Sequence, residues 1–279
     1  MQLNEAIREL WRSWVGKAGL VLLITLFVGA GYVLATYPLD YGDRTWSNPT
    51  IWVDNPKAAA PTWTNLWRRE PEPEHLVLTA GAPDEVREAT AGKLETYRLA
   101  FFYDYAQPPT FLAITLGDVL YAERPPLINV SLLRPDGKEV RLLRHAVRGP
   151  REGEQGPFER YITEPLRIQL STDESTIGGL QEFLADQFEL QADARDLRGV
   201  VDRALFGTPT AATLAAGTSA GDGLTFTPLT GEYTVIIQAA FRDPADQMGL
   251  VRFVAGGAVY GLMGTDTLGR DLAEGLLFG

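Results

Sequence analysis

A cluster of small, acidic and basic side chains near the end of the chain has the spacing needed for charge pairing and helix capping. The cluster comprises Gly264, Thr265, Asp266, Gly269, Arg270 and Asp271. The carboxylate of Asp266 is a good acceptor for the first free N–H groups of a helix, and Arg270 lies four residues later, within reach of an ion pair. The two glycines permit tight turns and close backbone approach. This chemistry shapes the backbone and does not include a nucleophile beside a base.

The residues that follow predict the helix that carries this cluster. Leu268, Leu272 and Leu276 recur at every fourth position, which is one apolar face of a helix. On local physics alone, the segment is typical of an ordinary capped amphipathic helix at the end of a domain.

Residues 264–271 read Gly-Thr-Asp-Thr-Leu-Gly-Arg-Asp. They resemble the Gly-Thr-Asp-x-x-Gly-Arg-Asp signature of permease subunits in dipeptide/oligopeptide/nickel-type ABC importers, specifically of the C-type subunit. The resemblance covers residues 1–74 and 251–279 best, in an archaeal-like branch with a large outer insertion. It implies a structural and conformational role for the six motif residues, with a second permease subunit, two ATPase subunits and a solute-binding protein as partners. The implied cargo is a peptide, although relatives carry oligosaccharides or nickel.

Composition disfavours several other classes of function. The chain of 279 residues has 25 basic and 36 acidic residues, a net charge of −11, which argues against a nucleic-acid partner. It has no cysteine and only two histidines, so thiolate chemistry is excluded and a zinc site is disfavoured. No Gly-x-x-x-x-Gly-Lys-Ser/Thr loop occurs, so ATP hydrolysis is expected in separate subunits. We predict no enzyme activity, no cofactor and no metal site here.

Residues 18–37 form an uncharged run of twenty residues, which as a helix matches the hydrocarbon thickness of a bilayer. A cleaved signal peptide is the alternative, but its apolar region is shorter, about 7–15 residues. We therefore predict an uncleaved transmembrane helix. Basic residues are more frequent before the run than after it, which places the N-terminus in the cytoplasm and residues 38–279 mostly outside the plasma membrane.

Residues 1–17 carry an apolar stripe at helical spacing with arginines between, which predicts an elbow helix along the inner membrane surface. A simple extension of the span is the alternative. On the other side, residues 38–74 interleave tryptophan with proline. Because proline blocks regular ladders and tryptophan rings need a surface to pack on, we predict an extended extracellular strap. An aromatic cleft for carbohydrate or peptide is the second interpretation.

Residues 75–251 alternate as β-strands do, and the turn at 134–137 has the Pro-Asp-Gly chemistry of a hairpin. We predict an immunoglobulin- or fibronectin-like β-sandwich, interrupted by a helical pair over about 176–206. Residues 252–279 would start the permease domain, and Gly256 and Gly257 are interpreted as a hinge. The fold class is therefore membrane-anchored and mainly β, ending in an amphipathic helix.

Two functions remain at this point. The first is the N-terminal portion of an importer permease, which forms part of the membrane channel and its outer face. The second is a membrane-tethered extracellular β-sandwich that binds a ligand by itself. They differ in whether an ATPase accompanies the chain.

Overall fold

A computed structural model describes residues 11–89, 92–216 and 223–278. The predicted elbow helix over residues 1–17 lies mostly outside the described residues. Within them, one helix is long and apolar enough to cross a membrane: α1, Trp14–Thr36, none of whose residues is buried against the rest of the protein. It begins four residues before the predicted span, where the Oγ of Ser13 accepts a hydrogen bond from the N–H of Gly16. It ends before Pro38, because the residue that precedes a proline avoids the helical conformation.

The chain then follows an irregular path that contains a short π-helix, Gly42–Trp46, and a 3₁₀-helix, Thr62–Trp67. Single β-bridges join Ala60 and Glu74 to Val259. The segment that was predicted as a strap thus lies beside the residues that lead into the terminal motif. We call residues 38–74 and 257–278 together the base.

Beyond the base, the described residues form twelve antiparallel strands, which make up the β domain. They are β1 Leu76–Ala80, β2 Glu85–Ala89, β3 Gly92–Tyr103, β4 Leu112–Tyr121, β5 Leu127–Leu133, β6 Glu139–Ala146, β7 Phe158–Arg160, β8 Leu166–Gln169, β9 Gly207–Pro209, β10 Phe226–Pro228, β11 Gly231–Phe241 and β12 Gln247–Ala255. One sheet has the order β1-β12-β4, with β7 and β8 both pairing with β4, and the other has the order β2-β3-β11-β5-β6. β9 and β10 form a separate pair. The prediction of an N-terminal apolar helix followed by a mainly β region is confirmed at this level.

The connections differ from those of the predicted immunoglobulin-like sandwich. In that fold the last two strands are neighbours in one sheet, whereas β11 and β12 lie in different sheets. If β2 is set aside and β7 and β8 are counted as one strand, the eight main strands are β1, β3, β4, β5, β6, β7/β8, β11 and β12. The two sheets then read 1-8-3-6 and 2-7-4-5, which is the order of a double-sheet jelly roll. Alternating hydrophobicity cannot distinguish the two, because both bury one face of each strand.

The core lies between the two sheets. Phe101 of β3 stacks on Phe253 of β12 with 5.8 Å between ring centroids, and both side chains are buried. Tyr97 is also buried and donates its hydroxyl to the carbonyl of Met248, so the sheets are joined by a hydrogen bond as well. These contacts join the two sheets through the buried interior of the β domain.

The helical insertion contains α2 Glu174–Phe188, α3 Ala194–Leu197, α4 Val201–Leu205 and, after β9, α5 Ala211–Ala216. α2 packs closely on β6: the Oγ1 of Thr176 donates to the carbonyl of Leu142 at 2.7 Å. A Cβ at Gly179 would lie 2.0 Å from the carbonyl oxygen of Arg141, so glycine is needed for this approach. The last helix, α6, spans Leu272–Phe278.

Candidate functional site

The structure brings all six motif residues together and packs them on the segment that follows α1. Thr265 is the most buried of the side chains. Its Oγ1 donates to the carbonyl of Pro56 at 2.6 Å and accepts from the N–H of Ala59 at 2.9 Å. Its own N–H donates to the carbonyl of Ala59 at 3.0 Å. Thr265 therefore ties two segments that are about 200 residues apart in sequence, as the separation of its partners shows.

Asp266 closes a turn and does not cap the last helix. Its Oδ1 accepts from the N–H groups of Leu268 at 2.8 Å and Arg270 at 2.9 Å, and its Oδ2 accepts from Nε of Arg270 at 2.6 Å. The expected pairing with Arg270 is present. The cap is Asp271, whose Oδ1 accepts from the N–H of Ala273 at 2.8 Å. Both aspartates suit a cap, and only the position at which the helix starts decides between them.

The charges of this turn are partly shielded. Burial raises the pKa of Asp266, but the hydrogen bonds from Arg270 and Leu268 and the guanidinium charge outweigh it, so the pKa falls below its usual value. The guanidinium of Arg270 lies 4.5 Å from the ring centroid of Trp46, a cation–π contact. Arg270 is thus held on two sides.

Two motif glycines adopt conformations that other residues avoid. Gly264 has a φ of +76°, and a Cβ there would lie 2.2 Å from the carbonyl oxygen of Ala59. Gly269 has a φ of +85°, and a Cβ would lie 2.9 Å from the carbonyl oxygen of Trp52. The carbonyl of Gly269 accepts from Nδ2 of Asn55 at 3.0 Å. The glycines are therefore needed for backbone contact with the base.

The helix after the motif packs near the C-terminal end of α1. The rings of Phe278 and Tyr41 are 4.9 Å apart, and the hydroxyl of Tyr41 donates to the carboxylate of Glu274. Burial raises the pKa of Tyr41 most, and the hydrogen bond and negative charge of Glu274 raise it further. A Cβ at Gly275 would lie 2.4 Å from the ring of Trp46. The terminal helix is therefore packed against the chain just beyond the apolar helix α1.

The predicted leucine face is shorter than expected. Because α6 begins at Leu272, Leu268 lies in the preceding turn, and the helix carries only Leu272 and Leu276. All three side chains are exposed. The apolar periodicity is thus present, but it does not bury these leucines in the protein.

A second candidate site is a cleft of about 610 Å³ in the β domain. It is lined by Ala106, Gln107, Pro108, Pro109, Thr110, Gly199, Val200, Asp202, Arg203, Phe206, Leu224, Thr225, Phe226 and Pro228. A concave surface that combines apolar side chains with polar groups is a candidate small-molecule site. No tryptophan is among these lining residues, so the aromatic interpretation of residues 38–74 does not apply to this cleft.

Asp202 is the polar centre of the cleft. Its Oδ1 accepts from the hydroxyl of Ser171 at 2.6 Å, and the Oγ of Ser171 in turn accepts from the N–H of Leu112 at 2.6 Å. Burial raises the pKa of Asp202 to about 6, although the Ser171 hydrogen bond opposes the shift. The neighbouring Arg203 is exposed and lines the same cleft. The cleft therefore presents one weakly acidic carboxyl and one cation.

The two histidines lie elsewhere. Burial lowers the pKa of His75 to about 4, and its ring, whose two nitrogens lack hydrogen-bond partners, packs beside Tyr260. His145 lies with Nε2 3.1 Å from the hydroxyl of Tyr161. Within the described ranges, no group of three or more histidines and carboxylates is placed to hold a metal ion.

Sequence reasoning missed the residues that hold the motif from the other side, Trp46, Asn55 and Tyr41, and it missed Asp202. The tryptophans indicated that residues 38–74 pack on another surface, but they did not indicate that this surface is the terminal motif. The sequence around Asp202 does not mark it as a site residue, because its burial comes from loops far apart in sequence.

Comparisons of this chain with protein-family models, curated proteins and solved structures found no match.

Proposed function

We propose that this chain is the N-terminal portion of an ABC-importer permease subunit that transports peptides or related small solutes. α1 is its first span, with the N-terminus in the cytoplasm and residues 38–279 mostly outside the plasma membrane. We infer that the β domain is a sandwich-like outer module and that it faces the solute-binding protein. The partners are a second permease subunit, two ATPase subunits and the lipid bilayer. Peptide is the first candidate cargo, with oligosaccharide and nickel as the others.

One observation carries this proposal: the motif that resembles the permease signature is packed against residues 46–61, and the helix that follows the motif contacts the chain just beyond the apolar helix. Gly264 and Gly269 press their backbones on residues 52–60, and α6 contacts Tyr41. A sequence motif that served only as a local helix cap would not need such distant partners. The arrangement suits a structural element that sets the position of one membrane segment relative to the next.

The test uses the chain in its native membranes. We expect affinity purification in mild detergent to recover an ATPase with a phosphate-binding loop, and deletion of the gene to abolish uptake of labelled peptide, oligosaccharide or nickel. Complementation with wild-type protein should restore uptake, whereas Asp266→Ala should restore much less at equal membrane abundance. Arg198→Ala, which removes an exposed ion pair with Glu174, is the matched control. If no ATPase accompanies the protein and uptake of all three cargoes is unaffected, the proposal is wrong.

The cleft favours the second candidate, a membrane-tethered binding module. A pocket of this size that joins apolar walls to Asp202 and Arg203 would suit a short peptide or another small zwitterion. Calorimetry on the detergent-solubilised chain with a panel of peptides and glycans tests this. Val200→Trp, which fills the cleft, should abolish binding, whereas Leu214→Trp on the exposed face of α5 should not. Equal binding by both variants, or none by the wild type, excludes the cleft.

A further inference from the structure

Large apolar side chains are exposed on the base, outside the transmembrane helix. We call this set the base surface; it comprises Trp63, Leu66, Trp67, Leu262, Leu268 and Leu276. Leu66 is 78% exposed, Trp67 75% and Leu276 70%. Single exposed leucines are ordinary, but a group of this kind marks an interaction site.

These side chains are held in place by the fold. Nε1 of Trp63 donates to the carbonyl of Leu262 at 2.9 Å, and the N–H of Thr62 donates to the carbonyl of Gly261 at 3.0 Å. The rings of Trp63 and Trp67 meet edge to face at 5.5 Å. The two stretches of the base that carry the surface are thus joined directly, and the surface is preformed.

The base surface is also close to the point at which α1 leaves the membrane. A Cβ at Gly261 would lie 3.6 Å from the carboxylate of Asp271, the residue that caps α6. α6 in turn packs on Tyr41, five residues beyond the end of α1. These contacts connect the base, through α6 and Tyr41, to the C-terminal end of α1, whose side chains form the other exposed apolar surface of the protein.

We propose that the base surface lies in the interfacial layer of the leaflet from which α1 emerges and seats the β domain on the lipid. The bilayer is the occupant that α1 already requires, and continuity with α1 makes it the nearest apolar phase. Tryptophans are preferred at this depth, and an exposed basic residue such as Arg69 beside Trp67 can reach the headgroups. This inference rests on α1 crossing a membrane and is independent of transport.

The absence of cysteine allows a direct test by site-directed spin labelling. Leu66→Cys and Leu276→Cys each place one label on the base surface of the full chain in phosphatidylcholine/phosphatidylglycerol nanodiscs. Val86→Cys in β2, whose side chain is also exposed and apolar, is the matched control. We expect oxygen to relax the labels at 66 and 276 several-fold more than a water-soluble nickel chelate does, and the reverse at 86.

Two outcomes would overturn the inference. Labels at 66 and 276 that respond to the nickel chelate as the label at 86 does would show that the base surface faces water. Labels that are immobilised and inaccessible to both reagents would show that a protein, such as a second copy, covers it. Because every replaced side chain is exposed, the variants should keep the wild-type unfolding temperature, and this measurement confirms that each reading refers to the folded protein. Neither result depends on finding an ATPase or a cargo.

Discussion

At the scale of single residues, the motif works through backbone shape, and Gly264 provides the clearest test. Gly264→Ala combines a positive φ with a Cβ 2.2 Å from a carbonyl oxygen. Gly137→Ala is a matched control, because Gly137 has a φ of +77° but open space around it. We expect the control to lose about 1–2 kcal/mol and Gly264→Ala to lose about 1–3 kcal/mol more. Urea unfolding in detergent measures both, and equal losses would show that the contact with the base is unimportant.

The carboxylate of Asp266 should make the base sensitive to acid. Its pKa is lowered in the folded state, so the stability that its charge contributes is present above the unfolded pKa and is lost as the pH falls through the folded value. Asp266→Asn keeps an acceptor for the two N–H groups but loses the charge. We expect the variant to be less stable at pH 7 and the difference to shrink below about pH 4. Glu182→Gln, on an exposed ion pair with Arg141, should change little at either pH.

Asp202 should act in the opposite direction. Its folded pKa of about 6 is above the ordinary value, so folding is favoured while the carboxyl is protonated and is weakened as the pH rises through about 6. Asp202→Asn can still accept the hydrogen bond from Ser171. We expect the variant to match the wild type near pH 4 and to exceed it by up to about 3 kcal/mol at pH 7.5. Thermal unfolding of both proteins across this range measures the effect; a constant difference would show that Asp202 does not titrate here.

At the scale of elements, Arg134 joins the helical insertion to the sheets. Its side chain is fully buried and donates to the carbonyls of Ala204, Leu205 and Gly207 at 2.9–3.2 Å. It thereby satisfies the free carbonyls at the end of α4, a requirement at every helix C-terminus. It also pairs with Asp136.

Removal of this guanidinium should release the insertion. Arg134→Met leaves buried carbonyls and a carboxylate without their partner, and we expect a loss of about 3–5 kcal/mol. Hydrogen exchange should rise in α4 more than in β4. Arg198→Ala, which breaks an exposed pair, should cost less than about 1 kcal/mol. Equal effects of the two substitutions would contradict the role assigned to Arg134.

The elements themselves were largely predictable, and their connections were not. The uncharged run gave the apolar helix, and Pro-Asp-Gly at 135–137 gave the β5–β6 hairpin, whose strands pair directly. Both signals are local. The assignment of β11 and β12 to different sheets depends on long-range packing, and an alternating strand reads the same in either arrangement.

The candidate site shows the same division. The Asp266–Arg270 pair follows from spacing alone, and it is present. The partners of the motif on residues 46–61 could not be predicted, because no local pattern states which loop two glycines will touch. The expected cap at Asp266 was wrong by five residues, since Asp271 meets the same chemical requirement.

At the scale of the whole molecule, the junction between base and β domain is closely packed at the glycine pair that the sequence analysis interpreted as a hinge. A Cβ at Gly256 would lie 2.3 Å from the ring of Phe111, and one at Gly257 would lie 2.3 Å from the backbone nitrogen of His75. Asp54 of the base adds an ion pair with Arg167 at 2.6 Å. The glycines therefore allow close approach of neighbouring segments, and we expect the β domain to keep a fixed orientation relative to the base.

This rigidity can be measured as a distance. Spin labels at Leu39→Cys, just beyond α1, and Val86→Cys, in the β domain, should give a narrow distance distribution in nanodiscs. Gly257→Ala forces His75 and its strand away from the junction, so the distribution should broaden or shift. Gly149→Ala, where a Cβ meets nothing within 4 Å, should leave it unchanged.

The width of the distance distribution in the protein that has Gly257 intact distinguishes a rigid junction from a flexible one. A narrow distribution that broadens only with Gly257→Ala means that the base and the β domain move as one rigid body. Movement of the terminal helix α6 is then transmitted to the β domain. A distribution that is already broad, and that Gly257→Ala does not change, means that the β domain changes its orientation relative to α1 and that the base moves independently of it. Since the junction has backbone contacts on both sides of β12 and an ion pair beside it, we expect the first result.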